Sequence, residues 1–258
     1  YYVVTVLHIS TQSLPEEERE DPFLLAMAVK KYAEEQVDER WNSRFVIYLG
    51  DIIMISQLQE KDNLIAYTDE MDRLCRMARK VCNARVTAGI GYLCDSLEQI
   101  PFSYQGAKQA VSYRVLYGNI RSISISEVEP GETAELQRVD AYADLIQRII
   151  KKIRVGEENV LQEAIDDFIQ WLGEAHLSMQ NYRIVMMELI SELVRFAAGH
   201  DLSIDNVSGT GTDAYHQALQ MESTEALERW LLDLCRHLQR EVLHERQDST
   251  KSFVQSAE

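Results

Sequence analysis

The sequence predicts an α+β protein, an α/β half followed by an all-α half. Two observations carry this. β-rich runs alternate with helix-spaced runs as far as Ser126, and after Glu129-Pro130-Gly131 the β-rich runs stop and every apolar pattern is helical. The predicted domains are therefore residues 1–130 and 131–258, joined near residues 126–136. At 258 residues and 46% hydrophobic content the chain is long enough to bury two cores.

Tyr1 to Ser10 is almost continuously apolar, the pattern of a central strand buried on both faces. Leu14 to Asp21 is polar and acidic and reads as a loop. Asp21-Pro22 is a helix start, with Asp as N-cap and Pro in the first turn. Phe23, Leu24, Met27, Ala28, Lys31/Tyr32 and Glu35 keep helical spacing to about Arg40. Residues 45–49 and 52–55 read as a hairpin turning at Gly50-Asp51.

Asn63 to Asn83 is a long helix with Leu64, Tyr67, Met71, Leu74, Cys75, Ala78 and Val81/Cys82 on one face. Val86 to Leu93 is a strand ending in a tight glycine turn at Gly89-Ile90-Gly91. Ser103 to Tyr117 is a helix whose Ala107 and Ala110 allow close packing, stopped by Gly118-Asn119. Ser122 to Ser126 is a last strand.

In the second half, residues 141–153, 160–174 and 181–198 carry amphipathic helical patterns, with breaks at Val155-Gly156 and Gly199. Ser203 to Thr212 is linker-like, and a short helix spans residues 213–221. Ser223-Thr224-Glu225 caps a final helix with Leu227, Leu231, Leu234, Leu238 and Val242 in a stripe flanked by Trp230 and Leu243. Such a stripe is either core of its own bundle or a dimer seam, since its spacing approaches a heptad.

Net charge is −16. Residues 1–130 carry 14 Lys and Arg against 19 Asp and Glu, and residues 131–258 carry 12 against 23. Surfaces of this sign repel phosphate backbones, so neither half is predicted to bind nucleic acid by itself. Cys75, Cys82, Cys94 and Cys235 show no C-x-x-C spacing and read as core thiols of a reducing cytoplasm. No apolar run has the length of a membrane span, and no membrane contact is expected. The chain does not begin with Met and runs out inside a helical pattern, as expected of part of a longer protein.

Catalytic and metal motifs are missing. His8, His176, His200, His216, His237 and His244 are scattered without H-E-x-x-H spacing. Gly89-Ile90-Gly91 lacks the third glycine and the following helix of a dinucleotide fingerprint. Ser208-Gly209-Thr210-Gly211-Thr212 lacks the lysine of a phosphate loop. There is no G-x-S-x-G elbow. No catalytic, cofactor-binding or metal-binding residue is assigned, and no cofactor is expected.

Residues Arg85 to Gly91, the run Pro101-Phe102-Ser103-Tyr104-Gln105-Gly106-Ala107-Lys108-Gln109-Ala110 and Gly118-Asn119 together resemble the last third of a GGDEF-type domain, the fold of diguanylate cyclases. They resemble more closely the degenerate form found in YesN-like response regulators of the AraC class. The resemblance implies a mixed central sheet in the first half. It also implies that catalysis is lost. Active cyclases carry Gly-Gly-Asp-Glu-Phe on the central hairpin, where this chain has Leu49-Gly50-Asp51-Ile52-Ile53. They end the first strand with acidic residues for Mg²⁺, where this chain has His8-Ile9-Ser10. Phosphoryl transfer needs carboxylates to hold metal on the triphosphate. Asp51 reads instead as a turn residue.

The helical half resembles the same regulators through Leu227-Glu228-Arg229-Trp230-Leu231-Leu232-Asp233-Leu234-Cys235 and Met187-Glu188-Leu189-Ile190-Ser191-Glu192-Leu193-Val194-Arg195. What this implies is a non-enzymatic, cytoplasmic, homodimeric relay of a two-component system. An upstream receiver would meet its sensor histidine kinase, and DNA would be bound only through a downstream AraC-type domain. A membrane-bound sensor upstream is the alternative to the receiver. The competing function is a GGDEF-like domain that binds a guanine nucleotide or other small ligand without turnover, favoured by Gly50, Asp51 and Asn119 alone.

Overall fold

The computed structural model describes residues 1–10, 21–129, 139–155, 158–200, 202 and 214–255. The predicted loop over Leu14–Glu20, the break at Pro130-Gly131, Gly156, the linker Ser203–Thr212 and the Gly/Thr run within it lie outside the described residues. The chain divides into two compact units, Tyr1–Glu129 and Pro130–Glu258.

The first unit is built on a five-stranded mixed sheet, order β2-β3-β1-β4-β5. The strands are β1 (Tyr2–Ser10), β2 (Arg44–Tyr48), β3 (Asp51–Gln57), β4 (Arg85–Ile90) and β5 (Ser122–Ser124). β1 pairs antiparallel with β3 and β4, β2 pairs antiparallel with β3, and β5 runs parallel to β4. The apolar run that predicts a central strand is thereby flanked on both edges. Val3, Val4, Val6 and Leu7 are all buried.

One sheet face carries α1 (Pro22–Gln36) and α2 (Asn63–Val81). Val3, Leu7, Ile52, Met54, Val86 and Ala88 meet Leu25, Val29, Tyr67, Met71 and Cys75 there. Asp21 caps α1 by accepting from the Phe23 N–H at 2.9 Å. The face of α1 differs from the sequence reading. Leu25, Ala26, Val29 and Ala33 are buried, while Phe23, Leu24 and Met27 are exposed. Apolar residues occur on both sides of this helix, so spacing alone does not choose between them. The helix also stops at Gln36 rather than Arg40. Val37 is extended, and Asp38 caps a short 3-10 turn, Glu39–Trp41. At the far end of α2, Val81 is exposed rather than buried.

The other face carries α3 (Ile100–Ser112), with Ala107 and Val111 against Val4 and Val6. The contact is backbone to backbone. A Cβ added at Gly89 would lie 2.2 Å from the Ala107 carbonyl oxygen, and one at Gly91 would lie 1.9 Å from the Ser103 carbonyl oxygen. These glycines are needed for close approach, not for the tight turn expected from sequence. β4 runs straight to Ile90, and beyond it Cys94 still bridges to Tyr2. Between these two points Ser103 fills a gap in the ladder. Its buried Oγ accepts from the Val4 N–H at 2.9 Å.

The predicted helix 103–117 begins earlier and breaks at Tyr113, giving α3 and a short α4 (Arg114–Tyr117) ended by Gly118 at φ +86°. β5 ends at Ser124 and runs into one helical turn, α5 (Ile125–Val128). It is held by one side chain and one backbone carbonyl of α2. The Ser122 N–H donates to Asp72 Oδ1 at 3.1 Å and Ser122 Oγ donates to the Thr68 carbonyl at 3.1 Å.

The described residues of the second unit contain no strand. Its helices are α6 (Val139–Val155), α7 (Glu158–Glu174), α8 (Met179–Ala198), α9 (Ala214–Leu219) and α10 (Thr224–Gln255). α6 packs on α7, α8 and α10, α7 on α10, and α9 on α8. Ile146, Ile149 and Ile153 of α6, Leu161, Ile165 and Phe168 of α7, and Leu189 and Leu193 of α8 are fully or almost fully buried. The stripe Leu227, Leu231, Leu234, Leu238 and Val242 on α10 is buried within this unit. It is core rather than a seam open to a second subunit.

Gly91→Ala drives a methyl into the α3 backbone and is expected to cost at least about 3 kcal/mol. Gly173→Ala, on α7 with open space around the added methyl, is expected to gain about 0.5–1 kcal/mol. Urea unfolding of both variants checks the pair. Leu234→Ala should cost about 2–5 kcal/mol and lower the melting temperature with no change of mass in solution.

Candidate functional site at the open ends of β1 and β3

The end of β1 and the hairpin tip meet at one end of the sheet. Tyr48 pairs with Asp51, so the two-residue turn is Leu49-Gly50, with φ +52° and +86°. Two successive left-handed residues define the hairpin turn whose twist matches its strands. Asp51 is consequently the first residue of β3 and not a turn residue, correcting the sequence reading by one position. A one-residue shift reverses the face of a side chain. It places Asp51 on the α3 face, beside His8.

His8 Nδ1 and Asp51 Oδ1 are 2.8 Å apart, and both side chains are about a quarter exposed. On the neighbouring strand, Thr87 lies opposite His8 and Arg85 opposite Ser10. The Thr87 and Ser10 hydroxyls are buried and have no hydrogen-bond partner. Around Asp51 this end of the sheet is thus lined by His8, Ser10, Arg85 and Thr87, which bring no further carboxylate. A Mg²⁺ ion prefers an octahedron of hard oxygens, including carboxylates. Here the Asp51 carboxylate is held by an imidazole. Among the described residues no three His, Cys, Asp or Glu side chains are grouped so as to hold a metal. Among the described residues, those at this end of the sheet do not fit the metal that the fold would imply.

Gly50 and Asp51 sit at this end of the sheet, and Asn119, three residues before β5, lies at the same end. β1 and β4 stand between β3 and β5. Three strand spacings amount to about 14 Å. The structure does not bring these three residues together into one pocket.

A second polar feature lies under α2 and is not legible in the motifs. Thr5 Oγ1 is 2.7 Å from the Tyr67 hydroxyl, Tyr67 is 3.0 Å from Ser56 Oγ, and Ser56 is 2.8 Å from Ser43 Oγ. This chain of hydroxyls crosses from β1 to β3 inside an apolar layer. Burial pushes the Tyr67 phenol up to about 12. One turn along α2, the buried Glu70 accepts from the Asp38 N–H at 2.7 Å and from Trp41 Nε1 at 2.8 Å, pinning the chain as it leaves α1. A carboxylate in the middle of an apolar stripe was the sequence signal for this contact. Glu70 and Tyr67 line structure rather than a reaction centre.

A groove of about 280 Å³ runs between α1 and α2, lined by Tyr32, Gln36, Val37, Glu70, Arg73, Leu74 and Met77. It lies on the opposite sheet face from His8 and Asp51.

A mixed sheet with two helices on one face and one on the other, followed by helices alone, defines an α+β protein. Residues 1–113 match the GGDEF-like domain family, so the first unit carries a GGDEF-like domain and a helical region follows it. No curated protein and no solved structure matches the chain. No helix among the described residues is long and apolar enough to cross a membrane.

Leu49 is 83% exposed at a left-handed position. Leu49→Asn should stabilise the fold by about 1 kcal/mol, because Asn tolerates that conformation and Leu does not. Denaturant midpoints of the two proteins check this. The Tyr67 phenol is raised in the folded state, so its contribution is complete below pH 10 and is lost as pH rises toward 12. The Cys75 thiol, pushed by burial from 9 to about 12, acts in the same direction from pH 9 upward. Stability should thus fall between pH 9 and 12. Tyr67→Phe should flatten the upper part of that fall. At neutral pH the same substitution should cost about 1–3 kcal/mol by stranding the Thr5 hydroxyl and leaving Ser56 with Ser43 alone.

Proposed function

We propose that this chain is a non-catalytic relay in a bacterial AraC-class transcriptional regulator. In this reading a signal from an upstream receiver or sensor passes through a GGDEF-like domain and a helical bundle to a downstream helix-turn-helix domain. The protein works as a homodimer in the cytoplasm, and neither unit binds DNA by itself. The observation that carries the non-catalytic part is the His8–Asp51 contact at 2.8 Å. It stands where a cyclase would need carboxylates free to hold metal on a triphosphate. The relay part is supported by the resemblance of residues 187–195 and 227–235 to the regulators' helical segments. It is supported too by the burial of Leu227, Leu231 and Leu234 in the bundle. A last helix docked in this way can pass strain onward to whatever follows it.

With GTP and Mg²⁺ the purified chain should yield no cyclic di-GMP by chromatography, and product accumulating with enzyme concentration would overturn the reading. Calorimetric titration with GTP and with cyclic di-GMP, with and without Mg²⁺, should give no binding heat. Saturable heat would point instead to a ligand-sensing domain. An AraC-type double helix-turn-helix encoded downstream in the same reading frame is the expected gene context.

A further inference from the structure

We infer that the outer face of α8 is the seam of a parallel homodimer, docking against α8 of a second copy. This rests on the reading of the protein as a homodimer and assigns its interface.

The buried face of α8 is fully used inside the bundle, by Tyr182, Val185, Met186, Leu189, Leu193 and Phe196. On the opposite side a second stripe runs Gln180, Ile184, Met187, Ser191, Val194, Ala198. Its steps are 4, 3, 4, 3 and 4, the alternation of a coiled-coil seam. All six are exposed, and the three large ones are 42% (Ile184), 51% (Met187) and 47% (Val194) exposed. An isolated apolar residue on a surface needs no explanation, but a heptad-spaced row along about 27 Å of helix does. The α10 stripe, by contrast, is already buried within its own unit.

Charge selects both the occupant and its direction. Taking Ile184, Ser191 and Ala198 as the a positions, Arg183 falls at g and Glu188 at e. In a parallel pair g faces the e position five residues on in the other helix. Arg183 of each copy then faces Glu188 of the other, twice over by symmetry. In an antiparallel pair centred between Met187 and Ser191, Glu188 would lie near Glu188 of the second copy, a like-charge contact. Glu188 is oriented for this role by the Tyr142 hydroxyl, which donates to its Oε2 at 2.8 Å. Ser191 and Ala198 are small enough for the backbones to approach. One face of a single helix is a small contact, so association should be concentration-dependent.

Sedimentation of the full chain over a concentration series tests this. The unsubstituted chain should pass from monomer to dimer. Met187→Glu should weaken association about tenfold or more while leaving the melting temperature of the dilute, monomeric chain unchanged, because Met187 is not part of the bundle core. Arg183→Glu should weaken it several-fold, and Arg183→Glu combined with Glu188→Arg should recover most of the loss. Ser191→Cys should form a disulfide-linked dimer under mild oxidation, beyond any seen for the unsubstituted chain, since identical a positions meet only in a parallel pair. A dimer indifferent to Met187→Glu, or one that does not cross-link through position 191, overturns the seam while leaving the dimeric reading intact. A chain that stays monomeric at every concentration overturns both.

Discussion

The close approach of α3 to β4 is the constraint on which the first unit depends. Ala107 and Ser103 backbone atoms lie where side chains would otherwise stand on Gly89 and Gly91. Because the helix lies this low, Ser103 can reach the Val4 N–H, and Ala107 and Val111 can cover Val4 and Val6. With that face sealed, β1 becomes a strand buried on both sides. The register of β1 against β3 then brings His8 to Asp51. That contact is thus a downstream result of two glycines in a neighbouring strand.

The opposite face is organised around polar groups rather than around volume alone. Tyr67 joins Thr5 to Ser56, and Glu70 joins the exit of α1 to the core. A buried hydroxyl or carboxylate stabilises only when its partners are in place. These two residues, one turn apart on α2, therefore specify how the helix sits on the sheet as well as that it sits there. The T-shaped contact of Trp41 with Tyr67, at 5.5 Å, closes the same corner.

Much of this was legible in the sequence, and the exceptions are instructive. The continuous apolarity of residues 1–10 identifies a central strand, and the loss of β-rich runs after Ile125 identifies the helical region. The α10 stripe was readable as an apolar face, though not whether it faced its own bundle. The face of α1 was not readable, since Phe23, Leu24 and Met27 keep helical spacing as well as the residues that are buried. The hairpin turn lies one residue before the Gly-Asp pair that the sequence favours, because Leu49 adopts the left-handed conformation. That single step turned Asp51 from a turn residue into a partner of His8, a contact between residues 43 positions apart. Gly89 and Gly91 were visible as special, but spacing cannot tell a bend from a helix crossing overhead. The exposed α8 row shows the reverse problem. Its heptad spacing is in the sequence, yet it stands out only once the other side of the helix is known to be filled.

The match to the GGDEF-like family ends at residue 113, whereas the folding unit runs to Glu129. β5, beyond that limit, covers the outer edge of β4, where the Ala88 N–H donates to the Arg121 carbonyl at 3.0 Å. A fragment cut at the family boundary would lose this strand along with Ile123 and Ile125, both buried. β4 would then present unpaired amides along an apolar strand, the template on which chains stack edge to edge. Such a fragment should be prone to aggregate, and the short, three-residue β5 is in this sense the cap that keeps the sheet from growing.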